Sequence, residues 1–240
     1  MRKIIIICMS LILVGCSKNE LKLLNEYPHN KESFTQGLFV YDGELYETTG
    51  LYGKSKLYKN INLNNLSYEK EYTFDSKYFV EGSTIYKDKI YVLTWKEKKV
   101  FVFDKDNLNL IKELDYFTQG WGLCTDNDYL IASDGSDKLY YMDEDLNIIK
   151  TLNVTYNDFK IDKLNELEFI NGYIWANRFT YNDIYIINPS DGKVIKVLNF
   201  NEFSKEYKDK DDVLNGIAYK DNKVYITGKR WNKIYEFDLQ

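Results

Sequence analysis

Apolar and polar residues alternate along this chain in short runs with a period near two, the spacing of a half-buried strand. The first clear unit runs Gln36-Gly37-Leu38-Phe39-Val40, turns at Asp42-Gly43, and continues as Leu45-Tyr46-Glu47 and then Lys56-Leu57-Tyr58-Lys59. An Asp-Gly pair between two such runs marks a hairpin. The unit then returns four times, opening at Glu81-Gly82-Ser83-Thr84-Ile85, Trp121-Gly122-Leu123-Cys124, Asn165-Glu166-Leu167-Glu168-Phe169 and Asn215-Gly216-Ile217-Ala218-Tyr219. From Gln36 to Glu81, Trp121, Asn165 and Asn215 the steps are 45, 40, 44 and 50 residues. Most copies carry a fourth strand pattern, as in Leu108–Lys112, Leu146–Lys150 and Lys193–Val197. Four short strands per repeat of this length are the signature of a β-propeller blade. The pattern predicts an all-β, five-bladed propeller over residues 21–240. The fifth copy shows three strand patterns, and Leu21–Tyr27 is a spare one ahead of the first copy. Pairing the two closes the ring and covers an open edge. No helical pattern of useful length is present, and Lys205–Asp212 is expected as a solvated charged loop.

In a propeller the innermost strand of each blade lines the central channel, so equivalent positions form rings. The opening position gives Gln36, Glu81, Trp121, Asn165 and Asn215. Five residues past the start of each second strand lie Gly50, Trp95, Gly135, Phe179 and Lys229. Together they describe a pocket with one carboxylate, one ammonium, several amides and an aromatic wall, the usual make-up of a ligand site. Singly, each has an ordinary reading: a core aromatic, a solvated lysine, a turn asparagine. Their shared register singles them out.

The chain's start changes the setting. Arg2 and Lys3 precede an apolar run from Ile4 to Val14, which is too short to span a bilayer, and Gly15-Cys16 follows. Leu13-Val14-Gly15-Cys16 resembles a bacterial lipobox, so residues 1–15 are expected to be a lipoprotein signal peptide. Cys16 is then the lipidated residue, residues 16–20 a polar tether, and the protein exported and anchored to the cell envelope. Loss of Arg2 and Lys3 would deepen a net charge that is already −5, so a general nucleic-acid binder is excluded. Cys124 would be left without a disulfide partner and reads as a small buried side chain.

These residues limit the chemistry. The one histidine, His29, precedes the first blade, so neither a Ser-His-Asp triad nor a histidine zinc site can be assembled. A carboxylate walled by aromatic rings has a raised pKa and suits proton transfer near neutrality, which makes Glu81 the candidate proton carrier. A lysine and amides can hold an oxyanion, and a dry cavity favours an internal nucleophile over water.

A resemblance adds to this reading. Phe34-Thr35-Gln36-Gly37, Glu47–Gly53, Glu81-Gly82-Ser83-Thr84, Leu93-Thr94-Trp95, Gly120-Trp121-Gly122-Leu123 and Ser133-Asp134-Gly135-Ser136 resemble the plant and bacterial glutaminyl-peptide cyclotransferases. So do Leu164–Glu168, Ala176-Asn177, Leu214–Ala218 and Thr227–Trp231, so the likeness runs in order over nearly all of the chain from Phe34. It implies conversion of an N-terminal glutamine of peptides or proteins to pyroglutamate, with release of ammonia and without metal or cofactor. It implies Glu81 as general acid/base, with Gln36, Asn165 and Lys229 orienting the amide and stabilising the oxyanion. Phe34, Phe79, Trp95 and Trp121 become the aromatic cage, with Phe179 and Asn215 completing the substrate site. One departure is Phe179, where relatives tend to carry Trp, so an indole N–H donor is lost there. The enzyme is expected to act as a monomer. Two other readings compete. One is a metal-dependent propeller lactonase with a cation on Glu81, Asn165 and Asn215. The other is a non-catalytic propeller that binds peptides or glycans.

Overall fold

Five four-stranded antiparallel sheets stand around one axis in the computed structural model, which describes residues 21–239. The expected signal peptide (residues 1–15), Cys16 and the expected tether (residues 16–20) lie outside the described residues. The innermost strands are Thr35–Tyr41, Val80–Tyr86, Leu123–Thr125, Leu164–Ile170 and Leu214–Lys220. Each packs against the innermost strands of its two neighbours, so the five close a ring. The spare strand Lys22–Pro28 pairs antiparallel with Lys233–Asp238 and completes blade 5 from the other end of the chain. A small hairpin, Thr155–Tyr156 with Phe159–Lys160, was not foreseen from the pattern.

Between blades the core is apolar and aromatic, because each sheet is covered on both faces by its neighbours. Phe39, Tyr46, Leu57, Ile90, Val92 and Phe103 fill the space between blades 1 and 2, with the Phe39 and Tyr46 rings stacked at 4.9 Å. Full burial of such side chains contributes about 1.5–3 kcal/mol each.

The hub is built differently. In four blades the pairing of first and second strands slips near its start, between Thr35 and Gly37, Val80 and Ser83, Leu164 and Leu167, and Leu214 and Ile217. Such bulges release residues from the ladder and re-aim their side chains. Gln36, Glu81, Asn165 and Asn215 all sit inside them. In blade 3 the strand begins at Leu123, two residues later than the alternation suggests. There Gly122 N–H donates to Ser133 Oγ at 2.7 Å, and the Trp121 carbonyl accepts from Gly82 of blade 2 at 2.7 Å. Trp121 N–H also donates to the Ser133 carbonyl at 3.1 Å and Ser133 N–H to the Gly122 carbonyl at 3.0 Å, so Trp121 and Gly122 together face one residue of the second strand.

The residue after each opening position is Gly37, Gly82, Gly122, Glu166 and Gly216. A Cβ on Gly122 would lie 1.9 Å from the Asn165 carbonyl oxygen, so the neighbouring backbone leaves room only for glycine. Blade 4 is the exception: Glu166 reaches across the hub and accepts the Leu38 N–H of blade 1 at 3.3 Å. Burial, then the charge of Glu168, pushes the Glu166 carboxyl well above the usual range.

His29 fastens the ring seam. Its Nδ1 lies 2.8 Å from the Trp231 carbonyl of blade 5, and its Nε2 lies 3.2 Å from Glu47 of blade 1. Burial pushes the imidazole down, but the charge and hydrogen bond of Glu47 and the Trp231 carbonyl lift it above its ordinary value.

The charged stretch Lys205–Asp212 is not wholly solvated. A single helical turn, Asn201–Ser204, precedes it, and the Tyr207 ring stacks on fully buried Trp231 at 4.4 Å. That contact folds the loop back over the propeller's mouth.

Candidate active site

A cavity of about 250 Å³ opens at the end of the hub where the innermost strands begin. It is lined by Phe34, Gln36, Leu51, Phe79, Glu81, Trp95, Trp121, Asn165, Phe179, Asp211, Lys229 and Arg230. Phe34, Gln36, Phe79, Glu81, Asn165 and Lys229 are buried and form the floor; Leu51, Trp95, Trp121, Phe179, Asp211 and Arg230 are half-buried and form the rim.

One repeated contact sets the second ring. Gly50 N–H donates to the Phe34 carbonyl, Trp95 to Phe79, Phe179 to Lys163 and Lys229 to Val213, all at 2.8–2.9 Å. In each of these four blades the acceptor stands two residues before the opening position. The side chains of Trp95, Phe179 and Lys229 are thereby held over the bulges. Two members of that ring are glycines for a reason of space. A Cβ on Gly50 would meet the Phe79 ring at 2.5 Å, and one on Gly135 would meet the Trp121 ring at 2.7 Å.

The walls are aromatic and mostly edge-on, as ring quadrupoles favour. Phe34 meets Phe79 at 6.2 Å and 89°, Phe79 meets Trp95 at 5.4 Å, and Trp121 meets Phe179 at 5.7 Å and 85°. Lys229 Nζ lies 4.9 Å from the Phe34 centroid and 5.1 Å from that of Phe179, so two ring faces cradle its charge. Phe179 therefore contributes through its ring face even though it has no indole N–H.

Burial pushes the Glu81 carboxyl well above the usual carboxylate range; the Lys229 charge opposes that, and Glu97 adds to it. Burial likewise pulls Lys229 down to about 8, against the pull of Glu81 and Asp211. For both groups desolvation outweighs the attraction between them. Around them Gln36 Oε1, Asn165 Oδ1 and Trp121 Nε1 are buried with no hydrogen-bond partner among the described residues. Buried polar atoms left unpaired cost about 1–3 kcal/mol each, and these three belong to residues that line the cavity.

Nine of the ten site residues expected from the sequence line this one cavity. Asn215 is the correction. It is fully buried, but its Nδ2 donates to the Thr35 carbonyl at 2.9 Å and it does not line the cavity. Gly216, next to it, lies at φ +125° and donates its N–H to Asn177, which turns this bulge toward the neighbouring strand. The cation set of Glu81, Asn165 and Asn215 therefore does not converge. Leu51, Asp211 and Arg230 were not anticipated as lining residues. Cys124 is a buried core thiol whose pKa burial pushes far up, which removes it as a nucleophile.

Comparison with known proteins places this arrangement. A family profile described as glutamine cyclotransferase matches residues 11–239. A glutaminyl-peptide cyclotransferase of Arabidopsis thaliana is 36% identical over 232 residues, 92% of this chain and 72% of that protein. The crystal structure of Myxococcus xanthus glutaminyl cyclase superposes with a TM-score of 0.84 at 28% identity, covering 90% of this chain and 94% of that one. A Staphylococcus aureus virginiamycin B lyase superposes with a TM-score of 0.55 at 12% identity, covering 92% and 100%, a likeness of fold alone. With a matching profile over nearly its whole length and a curated relative above a third identical, the chain belongs to the glutamine cyclotransferase family of enzymes.

Proposed function

We propose that this enzyme closes the N-terminal glutamine of peptides and proteins into pyroglutamate inside the hub cavity, using Glu81 as its proton carrier. The observation that carries this reading is a buried acid beside a buried lysine, surrounded by unpartnered carboxamide and indole atoms. The α-amine nitrogen attacks the side-chain carbonyl carbon, forming the ring bond and a tetrahedral oxyanion. Glu81 takes the proton that the amine loses and passes it to the leaving amide nitrogen; the carbon–nitrogen bond then breaks and ammonia departs. The Lys229 ammonium faces the oxyanion, and Gln36 and Asn165 hold the reacting amide through their unpaired oxygens. Phe34, Phe79, Trp95, Trp121 and Phe179 keep water out, so the internal amine wins over hydrolysis. Purified protein is expected to release one ammonia per Gln-initiated dipeptide and to keep that rate in the presence of a chelator. Tight binding of the dipeptide with no ammonia would favour a binding propeller instead, and loss of activity with chelator would favour metal chemistry.

The same proposal places the enzyme as a monomer outside the cytoplasm, held to the envelope by lipid on Cys16. Fractionation checks this: Cys16→Ser should move the enzyme from the membrane to the soluble fraction. An unchanged membrane fraction would remove the lipid anchor from the account.

A further inference from the structure

The hub cavity measures about 250 Å³ and opens to the surface at its rim. If the floor holds the glutamine, as proposed above, the second residue of the substrate must cross the rim. The rim carries two charged side chains of opposite sign, and they are not equivalent. Arg230 is paired, its Nη1 lying 3.2 Å from Asp212 Oδ1, and its guanidinium rests 5.0 Å from the Phe34 ring centroid. Asp211 is half-buried, lines the cavity, and makes no ion pair or side-chain hydrogen bond among the described residues. Its charge still reaches the floor, where it acts on Lys229. On blade 2, Lys96 Nζ sits 4.0 Å from the Trp95 ring centroid, and Glu97 is held by hydrogen bonds from Tyr52 Oη at 2.8 Å and Phe79 N–H at 3.2 Å. Arg230 thus has a carboxylate partner in Asp212, whereas Asp211 has no ion-pair partner within reach among the described residues and faces the open rim.

We infer that Asp211 is a specificity residue that reads the charge of the substrate's second side chain, favouring peptides that begin Gln-Lys or Gln-Arg over those that begin Gln-Glu or Gln-Asp. A half-exposed pair supports about a two- to fivefold preference, and salt should shrink it.

The test measures kcat/KM for Gln-Lys-Ala, Gln-Ala-Ala and Gln-Glu-Ala at low and high salt. It uses the full protein, Asp211→Asn, and Asp211→Ser as a duplicate arm. The expected result is a Lys-to-Glu ratio of about two to five in the unaltered enzyme, carried in KM, reduced toward one by salt and by either substitution. A ratio at or below one in the unaltered enzyme overturns the inference, as does a ratio that survives in whichever variant folds. These outcomes stand apart from failure of the cyclisation reading, which would show as no ammonia from Gln-Ala-Ala with the unaltered enzyme.

Discussion

Glu81→Gln is expected to lower kcat/KM for a Gln-initiated peptide by at least about 10²–10⁴-fold, the range that a positioned acid/base supplies. The carboxamide fills the same space but can neither take the amine's proton nor hand it to the leaving nitrogen. Stability should move the other way. The Glu81 pKa is raised in the fold, so its contribution to stability is present below the unfolded carboxyl's pKa and is lost as pH rises through the folded value. Glutamine has no charge to desolvate, so the thermal midpoint of the variant near pH 8 is expected at or above that of the unaltered protein. A folded, substrate-binding, inactive variant separates a chemical role from a structural one. Retained turnover would move the proton transfer to another group.

Lys229→Met should cost about 10²–10³-fold, the loss expected when one oxyanion-stabilising group is removed. Its signature is in the pH profile. Lys229 titrates at about 8 and must be charged to face the oxyanion, so activity should fall as pH rises above that value. The substrate's α-amine titrates near 7.7–8.0 and must be neutral to attack, so activity should rise toward the same region. The unaltered enzyme then shows a narrow bell near pH 8. The Met variant loses the falling limb, and its rising limb, set by the substrate amine and by the ionisation of Glu81, moves to higher pH because the Lys229 charge no longer holds the carboxyl down. A falling limb that persists in Lys229→Met would assign it to a different group.

How far the pattern of the chain foretold the site depends on how each residue is held. Gln36, Glu81 and Asn165 were legible because all three stand at the same register position of a repeat, and one bulge aims them alike. Trp95, Phe179 and Lys229 were legible because the same backbone hydrogen bond fixes the second ring in their three blades and in blade 1. Asn215 shares the register of the first group, but the φ of Gly216 turns its bulge aside, and alternation carries no dihedral angle. Asp211 lies in a loop without period, where a run of charges looks the same whether it faces water or a cavity; the stacking of Tyr207 on Trp231, the Trp231 Nε1–H bond to the Asp212 carbonyl and the Arg230–Asp212 pair bring it over the mouth. Glu166 could have been noticed, since it stands where the other four copies have glycine, yet its reach across the hub is a tertiary fact. The loop tucked over the mouth and the acid across the hub thus come from contacts between blades, which no single repeat encodes.

The most direct measurement is a crystal structure of Glu81→Gln with a Gln-initiated dipeptide bound. The expected complex has residue 81 within hydrogen-bond reach of both the peptide's α-amine and its side-chain amide, with the amide oxygen turned toward Lys229. A glutamine side chain pointing out past Asp211, or a peptide seated at the opposite end of the hub near Glu168, would contradict the account.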